Sequence, residues 1–155
     1  MVRKMIKDEI LTLNNINYID EILDILDNWQ NINKTQIKKE IIKGITENKM
    51  PITILLTNEK ELIGFYQIIE HDNDNTIYTP WIANLIIKEH YRNKGYGKIL
   101  INTITKYMKK YNISKIYLHS RHKNFYEKFG FKIYKKLNLN DNIERNIYLL
   151  EKNTQ

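Results

Sequence analysis

The sequence predicts one α/β domain of the α+β kind, a mixed sheet of about seven strands carrying four helices. Three observations predict it. Strand-like and helix-like stretches alternate in the order β-α-α-β-β-β-α-β-α-β-β across the 155 residues. A two-glycine turn past the middle of the chain is flanked by strand-helix-strand runs, which places a parallel pair inside the sheet. No linker, internal repeat or low-complexity stretch divides the chain, so residues 1–155 read as a single domain.

Residues 3–13 alternate loosely and read as a first strand. Over 18–29 the pattern is helical: Ile19, Ile22, Leu23, Leu26 and Trp29 share one face, and Asp20, Glu21, Asp24 and Asp27 the other. A second helix covers 35–47, with Thr35 as its N-cap and Ile37, Ile41 and Ile45 as its buried stripe. Asn48 and Pro51 end it. Residues 52–57 are nearly all apolar, the pattern of a strand covered on both faces. A third strand spans 62–70 with Gly64 inside it, and a fourth runs from 77 to 87 beyond a polar loop. The helix predicted over 97–111 presents Leu100, Ile101, Ile104, Met108 and Tyr111. Lys106, Lys109 and Lys110 fall in its last turns, where the helix dipole favours cations. Strand 114–119 follows, then a short helix ending at Phe129, with Gly130 as a left-handed cap. Strands 131–136 and 147–151 close the chain, separated by a polar loop over 138–144.

Lys and Arg number 25 against 18 Asp and Glu, a net charge of +7. The lysines are spread over nearly every element, the pattern of a solvated basic surface, and no nucleic-acid-reading element accompanies them. Nucleic acid is therefore not an expected partner. No window of about 20 residues is free of charge, so no membrane span is expected. Met1 to Asp8 is charged without an apolar run after it, unlike a secretory leader. The chain has no cysteine, which excludes a disulfide framework and thiolate chemistry and points to a cytoplasmic location. His90 and the His119-x-x-His122 pair lack accompanying Cys or clustered carboxylates, so no metal is expected. The oligomeric state stays open, a dimer included.

The densest chemistry lies at Pro80-Trp81-Ile82-Ala83-Asn84-Leu85-Ile86-Ile87 and the turn behind it, Arg92-Asn93-Lys94-Gly95-Tyr96-Gly97-Lys98. A strand running into a glycine turn and a helix start offers free backbone N–H groups to phosphate. Gly95-x-Gly97 continues to Leu100 rather than a third glycine, which excludes the dinucleotide fingerprint. The two glycines are too close for a P-loop, and Ile99 stands where that loop needs Ser or Thr.

Arg92-x-x-Gly95-x-Gly97 resembles the pyrophosphate-binding motif of the GNAT superfamily of N-acetyltransferases. About 30 residues on, Asn124-Phe125-Tyr126-Glu127-Lys128-Phe129-Gly130-Phe131 is similar to that family's FYEKLGF segment. Either motif alone is weak; their spacing and order between strands make the pair specific, and the resemblance covers about residues 50–151. It implies the GNAT fold, with the sheet splayed between its fourth and fifth strands. It implies acetyl-CoA as co-substrate, its pantetheine arm on the backbone of Leu85, Ile86 and Ile87. The pyrophosphate would lie on the N–H groups of Asn93, Lys94, Gly95, Tyr96, Gly97 and Lys98, and Arg92 would either touch phosphate or fix the turn.

Tyr126 matches the family tyrosine that protonates the departing thiolate; packing against Phe125 and Phe129 is its other reading. Tyr117-Leu118-His119 resembles a segment of protein N-terminal acetyltransferases in which the histidine is the base. Trp81 stands where those enzymes carry the partner tyrosine, so substrate choice is assigned to that position. His119 also occupies the place of a pantetheine-binding Asn in many members, which leaves it between base and cofactor contact. Glu70 and His71 are alternative bases, with a solvated strand end as their other reading; Glu70 is also a substrate-binding candidate, and Asn84 either positions the acceptor or satisfies backbone. The implied activity is acetyl transfer to a primary amine by direct attack, with an amino sugar or polyamine as first choice of acceptor. A peptide N-terminus, or a non-catalytic acyl-CoA-binding module, are the alternatives.

Overall fold

The computed structural model describes residues 5–71, 77–138 and 143–152; parts of the loops expected at 71–75 and 138–144 lie outside them. Seven strands form one sheet in the order β1-β2-β3-β4-β5-β7-β6. They are β1 (Ile6–Ile10), β2 (Ile52–Asn58), β3 (Glu61–Ile69), β4 (Trp81–Ile87), β5 (Lys115–Ser120), β6 (Lys132–Asn138) and β7 (Glu144–Glu151). Every neighbouring pair is antiparallel except β4 and β5, which are parallel as the glycine-turn connection requires. The helices are α1 (Ile19–Gln30), α2 (Lys34–Thr46), α3 (Tyr96–Ile101) and α4 (Ile104–Lys110).

Among the described residues, two of three buried clusters sandwich the sheet, and the third gathers Trp81, Tyr117, Ile147 and Leu149. On one face α1 and α2 press Ile22, Leu23, Leu26 and Ile41 onto Leu55, Leu62 and Phe65. On the other, α3 and α4 press Leu100, Ile104 and Met108 onto Ile54, Tyr66 and Ile68. β2 feeds both layers, which is why its sequence shows no alternation. A fully buried aliphatic side chain contributes about 1.5–3 kcal/mol, so this double layer dominates the fold's stability.

Several expectations need correction. Among the described residues the first strand runs over Ile6–Ile10 and stops short of Leu13, because Thr12 caps a 3-10 turn over Leu13–Tyr18 by accepting the Asn14 N–H at 3.2 Å. Asn33, not Thr35, caps α2; its Oδ1 accepts the Gln36 N–H at 3.1 Å. Trp29 is not core but 63% exposed, at the end of α1. The helix expected over 97–111 breaks between α3 and α4. There the Thr103 hydroxyl donates to the Leu100 carbonyl at 2.6 Å and meets the Tyr66 hydroxyl at 2.8 Å, a back-bond that bends helices. The short helix before Gly130 is a single 3-10 turn, Tyr126–Phe129, and Gly130 takes the expected left-handed conformation at φ 93°. The fourth strand is laddered only from Trp81; Ile77 is 81% exposed.

Candidate functional site

The site begins where β4 leaves β5. The Tyr117 N–H donates to the Pro80 carbonyl at 3.0 Å, and Trp81 pairs with Tyr117. Beyond that pair the strands part, and among the described residues no further rung joins them. On its other edge β4 stays laddered to β3 with a slipped register: Phe65 faces Ile86 while Gln67 faces Ala83. Tyr66 therefore spans Asn84 and Leu85, a bulge that bends β4 away from β5. Asn84 holds φ 57°, a left-handed conformation that asparagine tolerates better than most residues. Gly64 permits the close approach: a Cβ there would lie 2.6 Å from the Ile86 carbonyl oxygen and the Ile87 Cδ1.

A cavity of about 540 Å³ fills the parting. Trp29 and Gln30 reach it from the end of α1, Asn84 and Leu85 from the bulge, and His119 from β5, with Tyr126 at its rim. Tyr126 is packed against Phe125, Phe131 and Tyr148, with centroids 5.0, 5.8 and 5.6 Å away. Burial pushes its phenol above the ordinary value, against the opposing effect of a hydrogen bond with Ser120. The Ser120 hydroxyl is itself held by the His122 N–H at 3.0 Å. His119 meets Trp81 edge-on, with ring centroids 6.1 Å apart, and Trp81 is anchored by its Nε1 donating to the Tyr78 carbonyl at 2.7 Å.

The turn behind β4 is braced from below. Burial and a hydrogen bond to Glu61 push the Tyr91 phenol up to about 12, and His90 Nε2 lies 3.3 Å from the same carboxylate. Above this brace Asn93 (φ 62°) and Gly95 (φ 86°) are left-handed. The Ile99 N–H bonds back to the Gly95 carbonyl at 3.3 Å, so the N–H groups before it lie ahead of the helical ladder. Arg92 fixes this turn: its Nε donates to the Ile87 carbonyl at 2.9 Å, and its guanidinium lies over the Trp29 ring at 5.8 Å.

A model of the acetyltransferase (GNAT) family matches residues 19–131, most of the chain. The chain belongs to the GNAT family. It is 31% identical over 91 residues to the spermine/spermidine N(1)-acetyltransferase of Bacillus subtilis, a match covering 53% of this chain and 60% of that relative. The fold of this GNAT protein is similar to that of an Acinetobacter baylyi protein assigned as an acetyltransferase (19% identical, TM-score 0.74, 97% of this chain and 96% of that one). It is also similar to a variant of the spermidine N-acetyltransferase of Vibrio cholerae (21% identical, TM-score 0.73, 96% and 94%).

Of the residues singled out in the sequence, Tyr126, His119, Asn84, Leu85 and Ile86 line the cleft of this GNAT chain together. Trp81 supports it from beneath His119. Glu70 is not brought there. Ile69, the last residue of β3, faces the cleft; Glu70, in the bend after it, lies in a separate depression with Lys110 and Tyr111. Sequence reasoning missed Trp29 and Gln30 as cleft residues. It also missed buried Gln67, whose Nε2 donates to Thr53 Oγ1 at 3.1 Å and whose Oε1 accepts from Asn84 Nδ2 at 2.9 Å.

Proposed function

We propose that this chain is an acetyl-CoA-dependent N-acetyltransferase acting on the primary amine of a small molecule, a polyamine or amino sugar. The carrying observation is the parting of β4 from β5, with Tyr126 and His119 on the same opening. The polyamine choice draws support from the activity named for the Bacillus subtilis relative.

The residues present fit the co-substrate. The β5-facing edge of Leu85, Ile86 and Ile87, left without a strand partner, suits an extended amide chain as an added strand would. The turn Asn93 to Lys98 suits a pyrophosphate: Gly95 has open space around its Cβ position, and Gly97 has its nearest neighbour 4.0 Å away. When bound, acetyl-CoA supplies a thioester whose carbonyl carbon the amine attacks. N–H groups of the bulged strand near Leu85 would stabilise charge developing on the carbonyl oxygen. His119 takes the proton lost by the amine as the N–C bond forms. Tyr126, kept protonated by its raised value, gives its proton to the sulfur as the C–S bond breaks.

Saturating coenzyme A should raise the melting temperature. A hundredfold excess over Kd contributes about 2.7 kcal/mol of stability, several degrees for a domain of this size. Acetyl-CoA with an amine panel should release free thiol. No thermal shift at millimolar coenzyme A would overturn the proposal.

A further inference from the structure

Four polar side chains run head to tail from the sheet interior to the cleft. Gln67 Nε2 donates to Thr53 Oγ1, Asn84 Nδ2 donates to Gln67 Oε1, and Gln30 Nε2 donates to Asn84 Oδ1 at 2.5 Å. Thr53 and Gln67 are buried, so the inner end is fixed by packing. Each amide thus points its N–H inward. The outermost polar atom is Gln30 Oε1, which accepts no hydrogen bond among the described residues. An open acceptor at the rim of a cleft selects a ligand that brings a donor.

One further feature carries the same sign. Gln30 is the last residue of α1, where the helix dipole is negative, and the last turn of α1 holds no basic side chain. The Trp29 ring beside it is already engaged by the Arg92 guanidinium, so the carbonyl oxygen and the helix end carry the recognition. A ligand cation arriving here meets a carbonyl oxygen and a helix C-terminus.

We infer that Gln30 Oε1, at the C-terminal end of α1, forms a subsite for a second, protonated amine of the acceptor, so that the cleft favours diamines and polyamines over monoamines. Gln67 and Asn84 are positioning residues for it: they hold the Gln30 amide with its oxygen outward. The inference rests on the acetyl-acceptor reading of the cleft and concerns its far end only.

Cadaverine, pentylamine and δ-aminovalerate, equal in carbon count, separate a far amine from a far methyl and a far carboxylate. Their Kd values, measured by calorimetry with coenzyme A present, should favour cadaverine, and Gln30→Leu should weaken cadaverine about tenfold, the loss of one hydrogen bond to a charged group. The same change should alter pentylamine binding less than about twofold. Gln67→Leu, which leaves Gln30 in place, should erode the cadaverine preference in the same direction, and the double variant should lose no more than Gln30→Leu alone. Should Gln67→Leu fail to fold, the exposed Gln30 variant decides by itself. Equal losses for cadaverine and pentylamine, an unchanged ratio, or a preference for δ-aminovalerate would each overturn the inference. Absence of thiol release from every amine would instead count against the acetyltransfer reading, because the Kd ratio is read without turnover.

Discussion

Along its β3 edge, β4 is laddered from Trp81 to Ile87 around one bulge; along its β5 edge it keeps a single pair, Trp81 with Tyr117. The laddered edge is tight, with Gly64 lying so close to β4 that a Cβ would overlap the Ile86 carbonyl and the Ile87 side chain. The parted edge is loose, and the turn that continues it carries glycines with no close neighbours. The same strand thus has one edge crowded by a neighbouring strand and one that no strand crowds. Glycine in the first setting is needed for packing; in the second Gly95 serves a left-handed φ of 86° and Gly97 meets no close neighbour.

Three substitutions test this contrast. The largest effect is expected from Tyr126→Phe on the parted side: thiol release should fall about a hundredfold or more, the scale of losing a positioned proton donor. Coenzyme A should still shift the melting temperature, since the ring keeps its packing. An unchanged rate would assign Tyr126 to packing alone. Next, Gly64→Ala on the laddered side should cost about 1–3 kcal/mol, as overpacking does, read as a lower urea midpoint. A stable Gly64→Ala protein with intact coenzyme A binding would show that the bulge does not depend on that close approach. The smallest effect has two signs. Gly97 is helical and unobstructed, so Gly97→Ala should stabilise the free protein by about 0.5–1 kcal/mol while weakening coenzyme A binding. Gain in both would place the phosphates elsewhere.

The elements were legible where period and burial agree, as in α1 with Ile19, Ile22, Leu23 and Leu26. They were misread where a side chain overrides the period. Trp29 fits the apolar stripe, yet it falls on the last turn, beyond the layer α2 covers, and stacks on Arg92 instead. The break between α3 and α4 needs Tyr66, which no local pattern announces. Among the candidate site residues, the two motifs singled out Tyr126, which lines the cleft, and the glycine turn because both are short and contiguous. Glu70 lies away from the cleft because β3 ends one residue earlier, at Ile69, and the chain bends there, which the apolar pattern of 62–70 does not announce. The amide string from Thr53 to Gln30 was invisible for a different reason: Gln30 and Asn84 stand 54 positions apart, and nothing but the folded sheet brings them together.

The chain's two tryptophans sit at opposite ends of the solvent scale, Trp29 at 63% and Trp81 at 1% exposure. Their fluorescence should divide accordingly. Trp29, at the cleft mouth, should emit at long wavelength and be open to iodide quenching; Trp81, among Tyr117 and His119, should emit at short wavelength and be shielded. The protein therefore carries an optical reporter on its cleft and a built-in reference within its sheet, and occupancy of the one can be followed against the constancy of the other without a label.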